Sequence, residues 1–210
     1  MSFESFEKLP AERRERILAT GIRAFSLRPY QEVNTESVTK ECAISKGLLF
    51  HYFGSKKGFY LCCLEKALSR LTGKTQAAEG NDFYEILFNS MERKIDLCTR
   101  CLDETRMVNM ASRDDCAEIV GPKAEVFRRY MAIVHAESAQ TLHNAMAVLA
   151  LKAPENKPIA SEGLRIYVNA LTDRFLREYQ QTPDRFFENR AAIRREMKEY
   201  LDLFLYGICG

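Results

Sequence analysis

The sequence predicts an all-α protein, and three observations carry that expectation. Apolar residues recur at three- and four-residue spacing along the chain, the repeat of a helix face rather than a strand. Runs of β-branched residues are missing. Only ten glycines and six prolines interrupt 210 residues. About nine helices are expected, in an amino-terminal three-helix domain over residues 1–57 and a larger helical domain over 58–210. With 46% hydrophobic residues the chain can bury one or two true cores.

Pro10 suits the first turn of a helix, where its missing N–H costs nothing. Leu18, Ile22 and Phe25 then mark one face, and Arg28-Pro29-Tyr30 ends that helix. Asn34 or Thr35 can cap a second helix with Val38 and Cys42 inward. Ala43-Ile44 makes a turn, and Ser45 caps a third helix that Gly54 breaks. Ser55 caps a long fourth helix with Phe59, Cys62, Cys63, Ala67 and Leu71 inward. The small, polar Gly73–Asn81 reads as a loop or hinge. The stripe Phe83, Ile86, Leu87, Met91, Ile95, Cys98, Leu102 predicts the next helix, and Met107–Val120 another, broken at Gly121-Pro122. A long helix runs from Val126 toward Pro154, with a loop over Ala153–Pro158. Two last helices are expected over Gly163–Gln181 and about Pro183–Ile208.

The formal charge is +2 and lies unevenly: residues 1–60 hold ten Lys/Arg against seven Asp/Glu, and the remainder balances at −1. That excess suggests nucleic acid as a partner. No apolar run approaches the roughly 18–20 residues of a membrane span, and the first residues lack the layout of a secretory signal. Seven cysteines, odd in number and unevenly spaced, point to reduced thiols and a cytoplasmic protein. No nucleophile elbow, phosphate loop or H-E-x-x-H is present, so no enzyme, catalytic residue, cofactor or metal is expected.

The most informative segment is Asn34–Lys57. It reads as two short helices around a tight turn, with no acidic residue between Glu41 and Glu65 while Lys46, Lys56 and Lys57 all fall there. A helix-turn-helix works because its first helix braces and the leading turn of its second faces base edges. Ser45, Lys46, Gly47 and Leu48 occupy that turn. Lys46 can reach a phosphate or a guanine edge, and Gly47 allows close backbone approach. His51 lies further along the outer face, and Tyr52 offers a hydroxyl to a phosphate. Leu49 and Phe53 should point inward as anchors. Ser55-Lys56-Lys57 offers free N–H groups and two ammoniums as a phosphate clamp. Three ordinary short helices with a solvated basic end would show the same spacing and charge.

From Val38 to Lys57 (VTKECAISKGLLFHYFGSKK) the chain closely resembles the TetR-like transcriptional regulators. The family pattern is an Ile-Ala opening, an Ala-Gly-Val-Ser turn, then Gly, a Tyr-x-x-Phe and a Ser-Lys. The likeness extends over about Arg13–Leu64. Here Val38-Thr39 replaces Ile-Ala, Cys42-Ala43 replaces Ala-Gly, and Phe50 replaces the usual Tyr, losing a hydroxyl. Leu48 stands where a small residue or Thr is common and could favour a thymine methyl. The resemblance implies DNA contact by Thr35, Ser45, Lys46, Gly47, Leu48, His51, Tyr52 and Lys56, and not by Phe50. It implies a homodimer reading a near-palindromic double-stranded operator, a repressor released by a small apolar or amphipathic effector.

The resemblance also implies that residues beyond about 70 sense a ligand and dimerise. Interface candidates on the last two helices are Ile166, Ala170, Phe175, Met197, Leu201, Phe204 and Leu205; the same stripes could serve an internal core. Leu164, Leu176, Leu203 and Tyr206 add apolar surface outside a single stripe. A pocket neighbourhood is Phe88, Met91, Cys98, Met107, Met110, Phe127, Tyr130, Met131, His135 and Asn169, although core filling is the commoner role for any one of them. Cys98 and Cys101 form a C-x-x-C, which on one helix face would allow redox or metal sensing as an alternative signal.

Overall fold

The structure, a computed structural model, describes residues 4–72, 79–179, 185 and 188–208. Among them are ten α-helices and no strand: α1 (Glu4–Glu7), α2 (Ala11–Leu27), α3 (Thr35–Glu41), α4 (Lys46–Phe53), α5 (Lys56–Leu71), α6 (Phe83–Arg100), α7 (Leu102–Arg113), α8 (Val120–Ala147), α9 (Lys157–Tyr179) and α10 (Arg190–Ile208). The all-α expectation holds. The four-residue α1 is additional, too short to leave a periodic signal. Most of the expected hinge at Gly73–Asn81, residues 73–78, and residues 183, 184, 186 and 187 of the expected last helix lie outside the described residues.

By contact density the chain divides into two compact units, one of residues 1–73 with 98–133, the other of 74–97 with 134–210. The first unit is built around an aromatic column. Phe6 meets Phe53 at 4.7 Å between ring centroids, Phe53 meets Phe59 at 4.9 Å, and Phe25 reaches Phe59 at 5.9 Å and Tyr60 at 5.0 Å. Phe25, Phe53 and Phe59 are fully buried, each stabilising by about 1.5–3 kcal/mol through area alone. Met107 and Ala111 of α7 and Ile119 beyond it complete this core. Lys66 and Arg70 of α5 both hold Glu15 of α2, and Arg70 also holds Glu104 of α7.

The second unit packs Phe83, Ile86 and Phe88 of α6, Leu142 and Met146 of α8, Leu164, Leu171 and Phe175 of α9, and Ile193, Met197, Leu201 and Leu205 of α10 into a separate core.

Helix ends at the α7–α8 and α8–α9 junctions differ from the sequence reading. The helix expected over Met107–Val120 ends at Arg113, and Gly121-Pro122 opens α8 instead of breaking its predecessor. The reason is local: Pro122 needs no acceptor in a first turn, while Cys116 donates its N–H to Asp114 Oδ1 at 3.1 Å in an Asx turn. Lys123, buried, donates its ammonium to the carbonyls of Ala111 (2.6 Å) and Asp114 and so satisfies the end of α7. Helix α8 stops at Ala147, short of Pro154, and α9 begins at Lys157 rather than Gly163.

Candidate nucleic-acid interface

Each short helix of the α3–α4 pair is started by its own side chain. Asn34 Oδ1 accepts from the Glu36 N–H at 2.8 Å, Ser45 Oγ from Leu48 at 3.1 Å, and Ser55 Oγ, opening α5, from Gly58 at 3.0 Å. Such caps are worth about 1 kcal/mol apiece. Between α3 and α4, Ala43 takes φ +55°, the left-handed region. The turn is closed by the Ile44 N–H on Thr39 O at 3.0 Å. Arg16 of α2 reaches Cys42 O at 3.2 Å, tying α2 to the end of α3.

Helix α4 is two-faced. Leu49 and Phe53 are buried at 0% and 1%, as its sequence pattern requires, while Ser45, Lys46, Gly47 and His51 are exposed and Leu48 and Phe50 half-exposed. A Cβ on Gly47 would meet nothing nearer than Ser45 Oγ at 4.0 Å, so nothing inside the fold calls for glycine there. Gly54 closes α4 at φ +74°. Gly58 is required by contact, since a Cβ there would lie 2.1 Å from Phe53 O. The outer surface therefore carries Ser45, Lys46, Gly47, Leu48 and His51 together. Thr35 and Tyr52 are the two DNA candidates that the fold takes in: Thr35 is the first residue of α3, and the Tyr52 ring lies 5.8 Å from Phe6. Phe6 left no signal in the helical periodicity.

The exposed Lys46 ammonium pairs with Glu36 at 2.9 Å, and that hydrogen bond holds the Glu36 carboxyl below the usual glutamate range. Lys56 donates to Gln31 O at 3.1 Å and lies over the Tyr30 ring at 4.7 Å; partial burial pulls its ammonium below the ordinary lysine range, partly offset by Glu118.

The other candidates are dispersed. Cys98, Met107, Met110, Phe127, Tyr130 and Met131 belong to the first unit, and Phe88, Met91, His135 and Asn169 to the second. Phe88 and Met107 are buried, whereas Met131, His135 and Asn169 are exposed. A cleft of about 320 Å³ lies elsewhere, lined by Phe6, Arg14, Leu18, Cys62, Glu65 and Lys66 among others. The expectation that Cys98 and Cys101 share a helix face fails: α6 ends at Arg100, and Cys101 starts a turn (φ −107°, ψ 55°) whose carbonyl accepts from the Thr105 hydroxyl at 2.9 Å. Of the interface candidates, Phe175, Met197, Leu201 and Leu205 are buried in the second core, Phe204 stacks on Tyr167 at 5.4 Å, and Ile166 and Ala170 are exposed. Leu203 (74%), Tyr206 (85%) and Ile159 (76%) stand fully out. The Leu176 side chain lies outside what is described.

A cationic short helix presented by its partner across a tight turn defines a helix-turn-helix DNA-binding protein. Residues 17–61 match the family described as bacterial regulatory proteins, tetR family. The fold resembles a TetR family transcriptional regulator from Chloroflexus aurantiacus J-10-FL, with 20% identity, TM-score 0.59, and 99% of this chain and 98% of that one covered. It also resembles the reduced form of E. coli NemR, with 21% identity, TM-score 0.57, and 90% and 97% covered. No curated protein sequence matches the chain. On the match over residues 17–61 the amino-terminal helices are a TetR-type DNA-binding domain, and the fold of the chain resembles that of TetR family regulators. No described helix is long and apolar enough to cross a membrane.

Proposed function

We propose that this protein is a ligand-responsive repressor that binds a near-palindromic operator as a homodimer and is released by a small apolar or amphipathic effector. Residues 1–57 read DNA in this account, and 58–210 sense and dimerise. The observation that carries it is the outer face of α4, where Ser45, Lys46, Gly47, Leu48 and His51 stand together on a helix whose other side is anchored by Leu49 and Phe53. Lys46 exchanges Glu36 for a phosphate or a guanine edge, Gly47 admits the DNA backbone, and Lys56 clamps a phosphate at the start of α5.

Dimerisation is supported by the uncovered apolar side chains of the last two helices. Ile159, Ile166 and Ala170 recur at seven- and four-residue spacing on α9, and Leu203 and Tyr206 are one turn apart on α10. An effector acts by changing the distance between two reading helices, so that both half-sites cannot be met together. The protein is a binding protein rather than an enzyme in this reading. A switch through Cys98 and Cys101 has less support, because Cys101 leaves the helix.

The test is binding to a duplex that the protein itself selects from a random-sequence pool. Lys46→Ala and Lys56→Ala are each expected to weaken binding about tenfold, and each to lower the slope of log affinity against log salt by about 0.9. Unchanged affinity and slope in both variants would remove these residues from the interface.

A further inference from the structure

Tyr30 is gripped at both ends by the segment joining α7 to α8. Its N–H donates to Asp114 Oδ2 at 2.7 Å and its hydroxyl to Glu118 Oε1 at 2.7 Å. Between those bonds the ring is 3% exposed, stacked near Phe25 at 6.4 Å and met edge-on by Tyr60 at 5.2 Å. Burial, and then the bond to Glu118, push the phenol well above its ordinary range, so it remains a donor at any working pH.

The Lys56 ammonium rests over this ring, 4.7 Å from its centroid, and donates to Gln31 O at 3.1 Å. Gln31 in turn donates its side-chain amide to Cys116 Sγ at 3.4 Å. A lysine has three N–H donors, and the attraction of a ring face consumes none. One donor goes to Gln31, and two are left to turn outward. A lysine already fixed on a rigid plate has less rotamer freedom to lose when an anion arrives.

We propose that Tyr30, pinned by Asp114 and Glu118, is a positioning residue for DNA binding: it seats Lys56 for its phosphate contact. This rests on the reading of Lys56 as a phosphate clamp. It adds that the clamp is set by the α7–α8 connection, whose Asp114 and Glu118 lie 84 and 88 residues along the chain from Tyr30.

The experiment is a mutant cycle read by fluorescence anisotropy on the selected duplex at several KCl concentrations. Tyr30→Phe keeps the ring and removes the bond to Glu118; Glu118→Gln weakens the same bond from an exposed side chain. In the wild-type background each is expected to lower affinity about three- to tenfold. In a Lys56→Ala background each is expected to change nothing, because no clamp remains to be positioned. Equal losses with and without Lys56 would show Tyr30 acting on the fold at large and overturn the proposal, as would no loss in either background. If Lys56→Ala alone leaves affinity and salt slope intact, the clamp reading fails first and this inference falls with it, a different signature from the other two. Glu118→Gln, at the surface, keeps the cycle readable even if Tyr30→Phe lowers thermal stability.

Discussion

Ala43 shows how much one residue can hide in a sequence. Its replacement of the glycine usual in the turn changes little in packing, since its side chain is exposed, yet its φ of +55° places a Cβ in the left-handed region. That conformation costs an L-residue about 1–2 kcal/mol, against about 0.4–1 kcal/mol of extra unfolded-state freedom that glycine brings. Ala43→Gly is therefore expected to stabilise the protein by about 0.5–1 kcal/mol, measured by urea unfolding; a lower midpoint would show that the turn is not strained. The anchors and caps were legible because each follows from a local rule: Ser45 and Ser55 precede helices, and Leu49 and Phe53 share a face. The burial of Tyr52 was not, because it depends on Phe6, a residue some forty-six positions away in the chain at a ring distance of 5.8 Å.

At the scale of the element, the close meeting of α4 and α5 is the feature that aims the reading helix. Gly58 allows it, and Gly58→Ala would put a Cβ 2.1 Å from the Phe53 carbonyl, an atom of the backbone that cannot rotate aside. The expected cost is about 1–3 kcal/mol in thermal unfolding, with DNA affinity lost as well because α4 tilts. A variant with wild-type affinity and unfolding midpoint would mean the two helices separate at no cost. The helix inventory was readable from periodicity, whereas the exchange of an expected break for a start at Gly121-Pro122 was not. Proline punctuates both ends of helices, and the deciding contacts, Lys123 onto the carbonyls of Ala111 and Asp114, belong to tertiary structure. The C-x-x-C misled for a related reason: the apolar stripe runs on through Cys98 and Leu102, while the backbone turns between them at Cys101.

For the whole molecule, stability and assembly separate cleanly. The Glu15 carboxyl is held below its usual range, chiefly by the hydrogen bond from Lys66 and further by Arg70, with burial opposing. A carboxyl that is harder to protonate folded than unfolded adds stability above the unfolded glutamate value of about 4.3, and that contribution fades as pH falls through the folded value. Melting curves from pH 7 down to about pH 3 should accordingly show wild type above Glu15→Gln at neutrality and the gap closing in acid; a constant gap would deny the linkage. Assembly is tested at Leu203, 74% exposed and outside the second core. Leu203→Asp is expected to leave the unfolding of the second unit unchanged and to raise the dimer dissociation constant at least about tenfold in sedimentation velocity. An unaltered association would remove this face from the interface.

The first unit takes its core from two separate stretches of chain, with Met107, Ala111 and Ile119 lying against residues of α2 and α5. During synthesis, then, the DNA-reading helices emerge well before the pieces that complete their support. At about 5–20 residues per second, Ile133 follows Gly73 by roughly 3–12 seconds. For that interval the nascent chain exposes a half-built apolar seam and has no finished head with which to occupy a promoter.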